Sequence, residues 1–166
     1  MTLSVKEVFQ EILQRLLEET RRYYGERLVS LVVFGSVARG TMRPDSDIDV
    51  LIVAEPLPLG RMARVREFEE VEQKLESVLL QARAVGVDPC LSPLFKTREE
   101  AERGSPLFLD MVEDARILYD REGFFRNRLE RLRARLRELG AVRKWQGNAW
   151  YWDLKPDYRW GDVIEL

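Results

Sequence analysis

Apolar and polar positions along the chain fall into two rhythms, one helical and one of short unbroken runs. Val5, Val8, Phe9, Ile12, Leu13, Leu16 and Leu17 recur at helical spacing behind Ser4 and Glu7, the two partners of a capping box. They predict a first helix ending near Tyr24-Gly25. Leu28 to Phe34 and Asp47 to Ala54 are instead continuous apolar runs rich in β-branched residues, which predict two buried strands. Ser36 to Arg39 between them reads as one helical turn. A loop carrying Pro56 and Pro58 leads to a long helix from Arg61 to Ala84. Its inward positions are Val65, Phe68, Val71, Leu75, Val78, Leu79 and Ala82, with Arg64, Glu67, Glu70 and Lys74 outward. Val87 to Phe95 predicts a third strand, at an edge or irregular because Pro89 and Pro93 cannot donate to a ladder. Strand, helix and strand in that order build a βαβ-like unit of nearly fixed hand.

Thr97 with Glu100 is a second capping box, opening a short helix to Arg103, and Ser105-Pro106 restarts another that runs through Ala115. From Arg121 to Leu139 an amphipathic helix carries Phe125, Leu129, Leu132, Leu136 and Leu139 on one stripe and Arg126, Arg128, Arg131, Arg133, Arg135 and Arg137 elsewhere. The arginines read either as a nucleic-acid face or as solvated side chains offset by Glu122, Glu130 and Glu138. The apolar stripe suits docking on the chain's own core or a seam with a partner, a second copy included. After Gly140 the tail holds all four tryptophans, Trp145, Trp150, Trp152 and Trp160, and Gln146-Gly147-Asn148 reads as a hairpin turn between two short strands. So many aromatic residues argue against a disordered tail. They point to docking, or to a platform on which bases stack. The chain thus divides into residues 1–120 and an extension, 121–166, docked on the same domain or on a second subunit.

Composition narrows the chemistry. The 166 residues are 45% hydrophobic and 34% charged with a net charge of −2, the balance of a soluble globular chain and not of a wholesale nucleic-acid binder. Cys90 is the single cysteine, so no intrachain disulfide forms; it reads as a small buried apolar residue in a protein of the reducing cytoplasm. No stretch has the length of a membrane span and the N-terminus lacks a signal-peptide pattern. Histidine is absent, which excludes Ser-His and Cys-His catalysis and histidine-ligated zinc, and leaves carboxylate, tyrosine, lysine or water as a general base.

The chemistry concentrates in Leu31 to Val53. On a strand, residues two apart share a face, so Asp47 and Asp49 converge at the start of an apolar run. Two convergent carboxylates repel unless a cation lies between them, and Mg2+ accepts one or two carboxylates together with substrate phosphates. A turn-forming role explains Asp45 and Ser46, but it explains Asp49 poorly, because a carboxylate inside an apolar strand is costly unless paired or metal-bound. Gly35-Ser36, where the first strand breaks, lets an anion approach the backbone and adds a hydroxyl donor. Phosphate cradle on one side and metal-holding acids on the other describe a nucleoside triphosphate site.

Gly35-Ser36, ten intervening residues and Asp47-Ile48-Asp49 match the GS-x10-DxD signature, so the segment resembles the polymerase-β-type nucleotidyltransferase superfamily, in particular its minimal stand-alone members. The resemblance implies an α/β (α+β) fold with a short mixed sheet backed by helices. It also implies Mg2+, with a two-metal site open, and transfer of a nucleoside monophosphate from ATP or another nucleoside triphosphate to an acceptor hydroxyl. Asp47 and Asp49 would hold the metal, and Gly35, Ser36 and Arg39 would bind the nucleotide. Arg39 and Arg43 can neutralise leaving pyrophosphate; a salt bridge of either with Asp45 or Glu55 is the alternative. The superfamily's third carboxylate, metal ligand and base, falls on Asp88, the only acid of the third strand; if Ser92 holds that place instead, the chain binds nucleotide and transfers slowly or not at all. Minimal members are often paired with a HEPN-type partner, which points to a protein acceptor and an antitoxin-like role. A nucleotide- or partner-binding protein without transfer, and an RNA-end nucleotidyltransferase, are the rival readings.

Overall fold

The computed structural model describes residues 3–166. Both capping boxes close: the Ser4 hydroxyl accepts from the Glu7 N–H at the start of α1 (Val5–Tyr24), and Thr97 from Glu100 at the start of α4 (Arg98–Arg103). Between them lie β1 (Leu28–Phe34), α2 (Gly35–Arg39), β2 (Ile48–Ala54), α3 (Arg61–Ala84) and β3 (Leu91–Lys96). Then come α5 (Phe108–Asp114), β4 (Arg116–Asp120), α6 (Phe124–Glu138), β5 (Val142–Gln146) and β6 (Ala149–Asp153).

Four strands form a mixed sheet in the order β3-β2-β1-β4, with β2 parallel to β3 and β1 antiparallel to both of its neighbours. Strand alternation sends Ile48, Val50 and Ile52 to one face, where they meet Phe9, Ile12 and Leu16 of α1 and Phe68, Val71 and Leu75 of α3. Leu51 and Val53 go to the other, with Val32 and Phe34 of β1, against Phe108 and Met111 of α5 and Phe125, Leu129, Leu132 and Leu136 of α6. A sheet covered on both faces accounts for strands that read as unbroken apolar runs. The stripe of α6 is therefore filled by the chain's own core.

The two-stranded β5–β6 hairpin turns at Gly147-Asn148 as the pattern predicts and packs on the α5 side of the sheet. Trp152 is half-buried there and donates its indole N–H to the Leu109 carbonyl at 3.1 Å. Among the described residues no helix is long and apolar enough to cross a membrane.

Several expectations are corrected. The third strand begins at Leu91, not Val87: Pro89 is buried and has no N–H to offer a ladder, and bonding to β2 starts only at the Cys90 carbonyl, which accepts from the Ile48 N–H at 2.8 Å. Cys90 is exposed. Arg64 does not point out from α3: only 11% of its side chain is exposed, and it bonds Glu100 at 2.7 and 2.9 Å and the Pro58 carbonyl at 2.8 Å. This pair, with the Thr97 N–H at 2.9 Å, holds the Glu100 carboxyl down to about 2. Arg128 is buried at 7% exposure against Phe108, under the α4–α5 connection, and not on a solvated basic face. β4 is a strand that the apolar pattern did not announce.

Candidate active site

The site forms where three strand ends meet. β1 ends at Phe34, which pairs directly with Asp49 of β2, and on the other side Asp49 pairs with Ser92 near the start of β3. Alternation sends Asp49 to the face shared by Leu51 and Val53, the α5 side of the sheet. Asp47 precedes β2 and is exposed; Asp49 is half-buried. The loop that brings them round is closed locally, by Thr41 N–H on the Ser36 carbonyl at 3.0 Å and Arg43 N–H on the Ser46 hydroxyl at 2.8 Å. Arg43 lies 3.5 Å from Asp45 on the surface, the salt-bridge alternative raised above.

Gly35 opens α2 with φ +73°. A Cβ on it would collide with Oδ2 of Asp49. The backbone that begins the phosphate-binding turn thus abuts the carboxylate, an approach that no other residue permits. Burial pushes the Asp49 carboxyl above its ordinary range; the hydrogen bond with Ser92 and the charge of Arg39 oppose this, and the charge of Asp47 adds to it. Arg39, exposed on α2, makes no salt bridge or side-chain hydrogen bond among the described residues, and its guanidinium carbon sits 4.8 Å from the ring centre of Trp150 on β6. The periodic pattern gave no sign of that contact, because strand pairing alone does not reveal where a hairpin docks.

Gly35 abuts Asp49, and the charges of Asp47 and Arg39 act on it, whereas Asp88 stands apart. It lies four residues before Ser92, about 13 Å along an extended chain. Its N–H bonds the Pro44 carbonyl at 2.8 Å, and its exposed carboxylate pairs with Arg83 at 2.7 Å. The register puts Ser92, not Asp88, beside Asp49, and among the described residues no three Asp, Glu, Cys or His side chains gather into a metal-holding group. The carboxylates of Asp47 and Asp49 offer the hard oxygen donors that Mg2+ takes, the second destabilised as an anion by burial and by the charge of the first.

The arginines of α6 are largely committed within the chain. Arg128 is buried, Arg131 pairs with Glu102 at 2.7 Å, Arg133 donates to the Val112 carbonyl and Arg135 lies 3.2 Å from Glu138. They do not form a free basic face.

Residues 13–119 match the nucleotidyltransferase domain family. A protein of Methanocaldococcus jannaschii, provisionally named a protein adenylyltransferase, is 29% identical over 139 residues, 82% of this chain and 89% of its own length. The protein adenylyltransferase MntA of Thermococcus cleftensis is 34% identical over 79 residues, 48% of this chain and 73% of that one. A crystal structure of a toxin–antitoxin with AMP-PNP aligns at TM-score 0.42 and 22% identity over 76% of this chain and 91% of that chain. The family match takes in most of α1, all of β1 to β3 and the paired acids between them: the chain belongs to the nucleotidyltransferase domain family and is a nucleotidyl-transferring enzyme.

Proposed function

We propose that the protein transfers the nucleoside monophosphate of ATP to a hydroxyl on another protein. Asp47 and Asp49 would hold Mg2+, and Gly35, Ser36 and Arg39 would receive the triphosphate. The observation that supports this reading is the abutment of Gly35 on the Asp49 carboxylate, which puts the backbone that opens α2 against that acid with no side chain between them. When bound, Mg2+ neutralises triphosphate charge and makes the α-phosphorus more electrophilic. Ser36 adds a hydroxyl to the cradle, and Arg39 brings a planar set of uncommitted donors to the departing phosphates. The acceptor oxygen bonds the α-phosphorus, the bond from that phosphorus to the β-bridging oxygen breaks, and pyrophosphate leaves. With Ser92 beside Asp49, the acceptor's proton passes to water or to a group carried by the acceptor, since a serine hydroxyl is no base at neutral pH.

The two relatives named as protein adenylyltransferases support a protein acceptor, and the resemblance to minimal nucleotidyltransferases makes a HEPN-type partner the first to test. Ser92 in the third-acid position favours a second reading, nucleotide binding with slow transfer. The committed arginines of α6 speak against an RNA-end acceptor.

The test is incubation with Mg2+ and ATP labelled at the α- or the γ-phosphate, in lysate of the source organism, beside an Asp47→Ala/Asp49→Ala variant. Label from α-ATP alone, moving to one protein band and lost in the variant, supports the proposal. Label in RNA selects the RNA-end reading, ATP binding without transfer selects the second, and equal labelling by wild type and variant overturns the enzyme assignment at this site.

A further inference from the structure

The β5–β6 hairpin lies beyond residues 13–119, the span of the family match, yet it touches the site. One of its faces carries Arg143, Trp145, Trp150 and Trp152, as strand pairing of Arg143 with Trp152 and Trp145 with Trp150 requires. Trp152 anchors that face through the Leu109 carbonyl, and Arg143 through Asp114 at 3.3 Å. Two guanidinium groups lie over the Trp150 ring, Arg143 at 5.2 Å and Arg39 at 4.8 Å from its centre. Trp145 backs the stack edge-on, its ring centre 5.5 Å from that of Trp150.

A guanidinium stacked on an indole gives up its flat faces and keeps its N–H donors, which radiate in its plane. Such a contact restrains a long, mobile side chain without consuming any of the hydrogen bonds it has to offer. Arg39 fits that description: it is exposed, without an acidic partner among the described residues, and close enough to Asp49 for its charge to act there. An unrestrained arginine on a five-residue helix would lose its rotamer freedom only when ligand binds, at a cost in affinity.

We infer that Trp150 is a positioning residue of the nucleotide site: the C-terminal hairpin holds Arg39 extended toward Asp49, ready for the phosphates of the nucleotide. The inference rests on the proposed role of Arg39 in triphosphate binding. The hairpin keeps an anchor that does not involve Trp150, the Trp152 indole on the Leu109 carbonyl, so removing the Trp150 ring leaves that anchor in place.

The experiment compares wild type, Trp150→Ala, Trp150→Phe, Arg39→Ala and the Arg39→Ala/Trp150→Ala double variant. ATP affinity is measured by calorimetry with Mg2+ present, and KM and kcat by label transfer. Trp150→Ala is expected to weaken ATP about threefold to tenfold by calorimetry, the size of one cation–π contact, and to lower kcat as well as raise KM, because Arg39 meets the departing phosphates. Trp150→Phe restores most of the loss, and the double variant is no weaker than Arg39→Ala. Wild-type affinity in Trp150→Ala, no recovery in Trp150→Phe, or losses that multiply in the double variant each overturn the inference while leaving ATP binding by the enzyme intact. A wild-type protein that does not bind ATP removes the proposed function, and this inference with it.

Discussion

Alanine at Gly35 separates two demands that the position makes. Its φ of +73° lies in the left-handed region, where a Cβ costs about 1–2 kcal/mol. In a domain of this size that lowers Tm by about 2–8 °C. Gly40, at the other end of α2, has nearly the same φ, +74°, but open space where its Cβ would go. Gly40→Ala therefore bears the backbone strain without a collision, and Gly35→Ala adds the collision with Asp49 Oδ2. Phe34 is fixed by its pairing with Asp49, so the carboxylate is the part that yields. Displacing an aligning group by ~1 Å costs on the order of 100-fold in rate. Thermal melts of both variants, Mn2+ titration as a probe of the acids and label transfer from ATP make the assay. Both melts should fall together, while Mn2+ affinity and transfer collapse in Gly35→Ala alone. Undiminished transfer in Gly35→Ala, or an equal loss in Gly40→Ala, refutes the reasoning.

Three further outcomes follow from the same geometry. Asp49 has its proton affinity raised by burial, so without metal it favours folding below the ordinary carboxylate range, and that contribution fades as pH rises through it. Asp49→Asn should melt higher than wild type at neutral pH, by no more than about 4 °C, while abolishing transfer; a lower melting point in EDTA contradicts this. Glu100 is held near 2, so its pairing with Arg64 stabilises the fold above about pH 4.5 and the contribution is lost as pH falls towards 2. Glu100→Gln should cost about 1 kcal/mol at pH 7, discounted for partial exposure, and the gap from wild type should close in acid melts; a gap independent of pH argues against it. Ser92→Asp adds a third carboxylate beside Asp49 and should tighten Mn2+ binding about tenfold or more by titration, at a lower metal-free Tm; unchanged affinity would show that the side chain at 92 does not reach the metal.

The legible parts of the molecule are those in which a local cause decides. Ser4–Glu7 and Thr97–Glu100 are capping boxes whatever surrounds them, and α3 spans the predicted Arg61 to Ala84 because its apolar spacing and the preceding prolines are local signals. The unbroken runs of β1 and β2 announced burial, and the glycine, serine and acid spacing announced the family. What escaped was decided by partners distant in sequence. β4 is five residues with charged ends, a strand only because β1 offers it a free edge. Asp88 shares the alternation of Ser92 but lies before the strand begins, its exposed carboxylate paired with Arg83, and the register of β3 is set by β2 and not by its own prolines. Arg128 falls among the outward arginines by helical period, yet the chain between α4 and α5 folds over it. Arg39 could be named as a nucleotide ligand, but its tryptophan neighbour lies more than a hundred positions away.

The filling of one sheet face by α6 bears on where this protein can be cut. Val32, Leu51 and Val53 are fully buried, and Phe125, Leu129, Leu132 and Leu136 supply much of their cover. A fragment ending at residue 119, where the family match stops, would present that apolar face to water and invite aggregation. A fragment that keeps this face covered has to extend at least through Glu138, and the hairpin beyond it adds Ala141, Trp152 and Leu154 to the same core.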